Sequence, residues 1–169
     1  RHEIREMADM QKFRKRIYTT PGAFLKDVGF LMRNFRRINA IFNGERLDPA
    51  FRERIMLAVT HVNECRFCAS FHTKAALAEK VSHDEINALL DGSYKDCPAE
   101  EIPAIRYGEH WAETAGKPDA AIREKLLTGY DQETVKAIEI VLRVIKTGNL
   151  TGNTVDRFLF CISFGRWGR

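Results

Sequence analysis

No stretch of this 169-residue chain approaches about 18 consecutive apolar residues, which excludes a membrane-spanning helix. Proline and glycine are sparse, at 5 and 11 residues, so collagen-like and low-complexity readings fail. With 44% hydrophobic and 30% charged residues the chain is not wholly disordered, and its length suits one domain. The first residues, Arg1-His2-Glu3-Ile4-Arg5-Glu6, are charged and lead into no apolar signal-peptide core. They also lack an initiating Met, so a fragment or trimmed product is expected, and the expected location is cytoplasmic. Cysteine is scarce as well: Cys65, Cys68, Cys97 and Cys161 are all there are. A disulfide framework belongs to small, loop-rich secreted proteins, whereas this chain has the apolar content for a core. Two of the four cysteines are spaced Cys-x-x-Cys, which favours redox chemistry or metal binding over stapling.

Acidic residues are short at one end. Residues 1–46 hold 11 Lys/Arg against 5 Asp/Glu, whereas 47–169 hold 16 against 18. The basic excess includes Lys12, Arg14, Lys15, Arg16, Arg33, Arg36 and Arg37. Nucleic-acid binding would want interleaved aromatics or amides and a recognised motif, and neither is evident. Solvated helix faces are the plainer reading, so neither nucleic acid nor membrane is expected as a partner.

What is present is helical periodicity nearly throughout. Phe24, Val28, Leu31, Phe35, Ile38 and Phe42 recur at alternating intervals of four and three, the stripe of one long helix. Thr20-Pro21-Gly22 punctuates its start and Asn43-Gly44 its end. That stripe suits core or a subunit interface, not a cofactor box. Residues 3–17 read as a charged helical arm with apolar positions at Ile4, Met7, Met10 and Phe13. Asp48-Pro49 caps a largely buried helix to about Val62. Asn63 offers the cap of the next helix, from Cys65 to about Lys80. Ser82-His83-Asp84-Glu85 has capping-box spacing and opens a short helix to Leu90. Further helices are expected over 99–115, up to Gly129, from Asp131 to a stop at Gly148, and from Asn153 onward. The expected fold is all-α, with residues 1–44 as arm and long helix and 45–169 as the helical domain proper.

The informative stretch runs from Glu53 to His72. On a helix, Cys65 and Cys68 lie about 60° apart and Cys65 and His72 about 20° apart. Cys68 and His72 form an i, i+4 pair, so two thiols and an imidazole share one stripe. Near a helix N-terminus, unpaired N–H groups and the dipole favour a thiolate. Arg66 assists that electrostatically and Glu64 opposes it. His72 can move protons to and from a facing thiol, so the local chemistry is that of a dithiol able to cycle to a disulfide.

The pattern Glu-x11-Cys-x2-Cys-x3-His, formed by Glu53, Cys65, Cys68 and His72, resembles the active-site signature of alkylhydroperoxidase D-like proteins. These belong to the carboxymuconolactone decarboxylase superfamily. Leu47-Asp48-Pro49 before the first helix and Ser82-His83-Asp84-Glu85-Ile86 after the second agree with it, and the resemblance covers roughly residues 45–150. It implies a compact helical protomer that assembles into trimers or hexamers. It implies a thiol-dependent oxidoreductase, a peroxidase or disulfide reductase, without a cofactor or metal. Glu53 and His72 would be the proton relay, Cys65 and Cys68 the redox couple. A small thiol or redox protein would re-reduce the pair. Phe67 and Val59 stand where the best-matched pattern has His and Tyr, and His61 is the residue to which their role would pass. That departure bears more on a dedicated peroxidase than on thiol redox chemistry, and the missing cysteine pair of the decarboxylating branch argues against decarboxylation. Which sulfur attacks first stays open: the dipole argues for Cys65, adjacency to His72 for Cys68.

The rival reading is a non-catalytic oligomeric helical module whose Cys65, Cys68 and His72 bind zinc, with Cys97 or His61 as fourth ligand. Cys161 reads as core, His83 and His110 as surface or capping residues. Asn153 and Arg157 could line a neighbouring subunit's pocket.

Overall fold

The computed structural model describes residues 13–168, and every regular element among them is an α-helix. In chain order these are α1 (Pro21–Arg33), α2 (Phe35–Phe42), α3 (Pro49–Asn63), α4 (Arg66–Ala78), α5 (His83–Leu90), α6 (Ile102–Glu113), α7 (Ala120–Gly129) and α8 (Gln132–Ile162). Several starts follow the expected chemistry. Thr20, Asp48, Ser82 and Asp131 each accept a backbone N–H from the first turn, and proline follows directly in α1 and α3.

Helix α3 is the axis of the fold and packs against α4, α5, α6 and α8. Its run Phe51–Thr60 is buried except at Arg54, which is only partly so. Ile55, Leu57 and Val59 meet Ile105 and Tyr107 of α6 and Ile138, Val141 and Leu142 of α8 in one apolar cluster. Gly108 permits the close approach of these three helices. A Cβ there would lie 3.1 Å from Leu142 and 3.4 Å from Ile55 and Val59.

Three expectations need correction. The Phe24–Phe42 stripe is not one helix but two, interrupted at Asn34, whose amide donates to the Phe30 carbonyl at 2.9 Å. A side chain that competes for backbone groups ends the run. The stripe is also only partly covered: Ile38 packs against the core cluster, whereas Phe35 is 68% exposed. Second, the arm is not helical where it is described. Residues 13–19 run irregularly across the molecule, with Arg16 donating to the Ala112 and Glu113 carbonyls at the end of α6 and Tyr18 N–H to Thr154. Ile4, Met7 and Met10 lie outside the described residues. Third, neither Gly148 nor Asn153 interrupts the chain: α8 is continuous for 31 residues, about 46 Å. The weak local preference of one exposed glycine does not end the helix, and buried Asn153 is held by the Asn63 and Arg16 carbonyls instead of capping a new one.

Candidate active site

The dithiol lies at the junction of α3, α4 and α8. Glu64 takes a left-handed conformation (φ 53°, ψ 36°), which ends α3 and turns the chain sharply into α4. The next residue, Cys65, is itself the N-cap of α4, correcting the assignment of that role to Asn63. Its sulfur accepts the Cys68 N–H at 3.4 Å, where a capping oxygen would ordinarily sit. Cys65 and Cys68 are free thiols with sulfurs 2.6 Å apart. A disulfide can therefore form without backbone movement.

The two thiols are electrostatically unequal. The Cys65 thiol is held well below its ordinary value, first by the hydrogen bond from Cys68. The Cys68 and Phe67 N–H groups add to this, against burial and the Asp156 carboxylate. Cys68 is pushed up, chiefly because its proton is engaged with Cys65 and then by burial, while Asn149 acts in the opposite direction. Arg66 does not simply assist the thiolate, because it is bound to buried Asp156 at 2.7 Å. Cys65 is 1% exposed, whereas Cys68 is half-buried.

Behind α4 lies a buried acid–base pair. His72 Nδ1 and Glu53 Oε2 are 2.7 Å apart, and both side chains are buried. The other carboxylate oxygen, Oε1, accepts both Nε and Nη2 of Arg52, at 3.1 and 3.0 Å. Arg52 is buried too, and its remaining nitrogen donates to the Ile41 and Phe42 carbonyls at the end of α2. Its guanidinium also lies over the Phe42 ring. The fork thus holds one oxygen of Glu53 and leaves the other for His72, which shares α4 with Cys68 one turn away.

Helix α8 supplies the opposite wall. Asn149 donates to Thr60 and accepts from Asn63 at 3.1 and 3.2 Å. Asn153, fully buried within its own protomer, donates to the Asn63 and Arg16 carbonyls. Gly152 gives the sulfurs room: a Cβ there would sit 2.8 Å from the Cys65 sulfur, whereas one at Gly148 would lie 4.0 Å from that of Cys68. Gly152→Ala is therefore expected to destabilise the fold by about 1–3 kcal/mol through overpacking. Gly148→Ala, on an exposed turn, is expected to stabilise it by up to about 1 kcal/mol. Urea denaturation of both variants checks the contrast. Equal midpoints would remove this account of the two glycines.

Carboxymuconolactone decarboxylase family sequences match residues 31–114, from the last turn of α1 through α6. The chain belongs to the carboxymuconolactone decarboxylase family. The family includes decarboxylases and alkylhydroperoxidase-like enzymes. No curated protein and no solved structure matches the chain. In this carboxymuconolactone decarboxylase family protein the matched segment holds Glu53, Cys65, Cys68 and His72, while the Gly152–Asn149 wall lies beyond it.

Other sequence candidates sit elsewhere. His61 Nδ1 lies 2.6 Å from the Leu90 carbonyl at the end of α5, a role in chain packing rather than in the Glu53–His72 pair. Cys97 is half-buried near Glu85 and Arg54, and burial foremost pushes its thiol up to about 12. Neither joins Cys65 and Cys68, and among the described residues no three His, Cys, Asp or Glu side chains converge on a metal position. Cys161 is exposed, not core, because among the described residues no helix covers its face of the final α8 turns; buried Phe160 occupies the inner face. Arg157 stacks over Phe13 and Phe160 of its own chain. His110 Nε2 accepts the Asp119 N–H and ties down a loop.

Among the described residues no helix is long and apolar enough to cross a membrane.

Proposed function

We propose that this protein is a thiol-dependent peroxidase whose Cys65–Cys68 pair cycles between dithiol and disulfide. The observation that carries the reading is the pair itself: two free thiols 2.6 Å apart, one favoured as thiolate, one turn from a buried Glu53–His72 pair. The Cys65 thiolate attacks the terminal oxygen of a hydroperoxide. The O–O bond breaks, the sulfur becomes a sulfenic acid, and the departing alkoxide takes a proton to leave as alcohol. Cys68 then surrenders its proton to His72, whose charge Glu53 balances. The resulting thiolate attacks the Cys65 sulfur, and hydroxide leaves with a proton as water. A small thiol or redox protein returns two electrons and two protons to restore the pair.

Burial of Cys65 at 1% exposure favours a small peroxide over a bulky protein disulfide as the oxidant. The reading includes self-association: Phe71 on α4 and Phe158 and Ile162 on α8 are 67%, 64% and 52% exposed on packed helices. It also includes a reducing, cytoplasmic setting in which the thiols are regenerated.

Peroxide consumption with dithiothreitol as reductant tests the reading. The expected result is multiple turnover and, after peroxide without reductant, a mass loss of two hydrogens confined to the tryptic peptides of Cys65 and Cys68. The Cys65 thiol is held down to about 6, so thiolate is present above that pH and lost below it. The peroxide-reaction rate is thus expected to rise through pH 6 rather than near the free-cysteine value of about 8.5. Thiols left unmodified by peroxide would overturn the proposal.

A further inference from the structure

Between α2 and the first turns of α8 lies a cavity of about 210 Å³, and none of its lining residues belongs to the dithiol site. Its floor is apolar: Ile41, Ala137 and Ile140 are buried residues of the core cluster, with Ala40 beside them. Its rim is cationic. Arg36 and Arg37 come from α2, Arg46 from the loop after it, and Lys136 from α8. One acid, Glu133, lines the same cavity, and it is bound to Lys136 at 2.8 Å. Lys136 foremost, then Arg46 and Arg37, hold that exposed carboxylate below its usual range, so the three cations face the same small volume. Four cations against one acid leave three positive charges at the mouth of an apolar depression.

We propose that this cavity binds a small amphipathic organic anion, a carboxylate or phosphate carried on an apolar body. Guanidinium forks recognise both head groups bidentately, and clustered cations that the single carboxylate of Glu133 does not balance favour an anion between them. A bare inorganic anion would leave the apolar floor wet, and a neutral apolar molecule would leave the rim unpaired. The volume exceeds the roughly 150 Å³ that accommodates benzene, so it suits a body of about six to ten carbons. The cavity accounts for part of the basic excess of residues 1–46, which thiol chemistry leaves unused. It stands independently of the peroxidase reading.

The test is titration of the full chain with octanoate, octyl phosphate, octanol, inorganic phosphate and phosphatidylglycerol vesicles, followed by methyl NMR of Ala40, Ala137, Ile41 and Ile140. Octanoate or octyl phosphate is expected to shift these methyls saturably. Octanol and inorganic phosphate are expected to bind at least about tenfold more weakly, the loss of roughly one charge-assisted interaction. Arg36→Gln/Arg37→Gln, at exposed positions that leave the fold intact, is expected to weaken both anions by at least about tenfold. The proposal is overturned if octanol binds as well as octanoate, or if the double variant binds unchanged. It is likewise overturned if inorganic phosphate competes equally, if only vesicles bind, or if the four methyls do not move.

Discussion

Cys65→Ser is expected to abolish peroxide turnover, while Cys68→Ser halts it after a single event. The asymmetry follows from the hydrogen bonding of the pair. Cys65 Sγ accepts the Cys68 N–H at the N-cap of α4 and lies 2.6 Å from the Cys68 sulfur, which keeps its proton, so the reactive thiolate resides on Cys65. A serine at 65 keeps the cap, since hydroxyl oxygen is a good N-cap acceptor, yet supplies no nucleophile near neutral pH. The fold should survive and the chemistry should not. Cys68→Ser leaves the attacking sulfur without its resolving partner. Peroxide should then leave Cys65 as a sulfenic acid that dimedone captures, at one equivalent per chain. Intact-mass spectrometry after peroxide and dimedone separates the two variants. Capture on Cys68 in the Cys65→Ser protein, with residual turnover, would reverse the assignment of roles.

Arg52→Met is expected to lower stability by about 3–5 kcal/mol, on the order of 10 °C in Tm for a chain of this size. The residue is 6% exposed and Glu53 2%, so the substitution strands a buried carboxylate whose Oε1 has lost both donors. Two carbonyls at the end of α2 lose their donor at the same time. Turnover should fall as well, because Glu53 is then free to rotate away from His72. Arg52→Lys restores the charge but not the fork, and is expected to recover part of the stability with a smaller share of the rate. Thermal melts and steady-state rates across pH check both effects. A Tm for Arg52→Met within a degree of the parent would show that the fork contributes little.

Much of this was legible in the chain, for reasons that differ from residue to residue. Asp48-Pro49, Ser82 and Asp131 announce helix starts because a cap needs only local chemistry, and the structure has all three. Cys65 and Cys68 fall together because the N-cap and first turn of α4 carry them, and His72 follows Cys68 one turn on; the angle calculated for Cys65 assumes a helical residue, whereas it is extended. Glu53 was placed by resemblance, and the structure does bring it to His72. Arg52 went unread because a buried arginine looks, in sequence, like any solvated one until Ile41 and Phe42 are known to end beside it. Gly148 and Asn153 were misread for a related reason. Glycine signals a stop and asparagine a cap when only neighbours are considered, but both lie inside one continuous helix, where buried Asn153 donates to the Asn63 carbonyl of α3. Asn34 and Cys161 failed the other way: periodicity showed a continuous apolar face, and the tertiary structure left it partly uncovered.

The continuous α8 carries one further consequence. Residues 148–153 read Gly-Asn-Leu-Thr-Gly-Asn, so the glycine that makes room for a thiol and the asparagine that ties down α3 both recur after four residues. Four residues are nearly one helical turn, so a one-turn slip of α8 would present the same pair of side chains to the dithiol. The repeat cannot by itself choose its own alignment. Asp156 breaks the degeneracy, for it is fully buried and engages Lys15 at 2.9 Å and Arg66 at 2.7 Å. The arm and the first turn of α4 thereby act as a pin through the rod, and alignment at the thiols is decided a full turn beyond them.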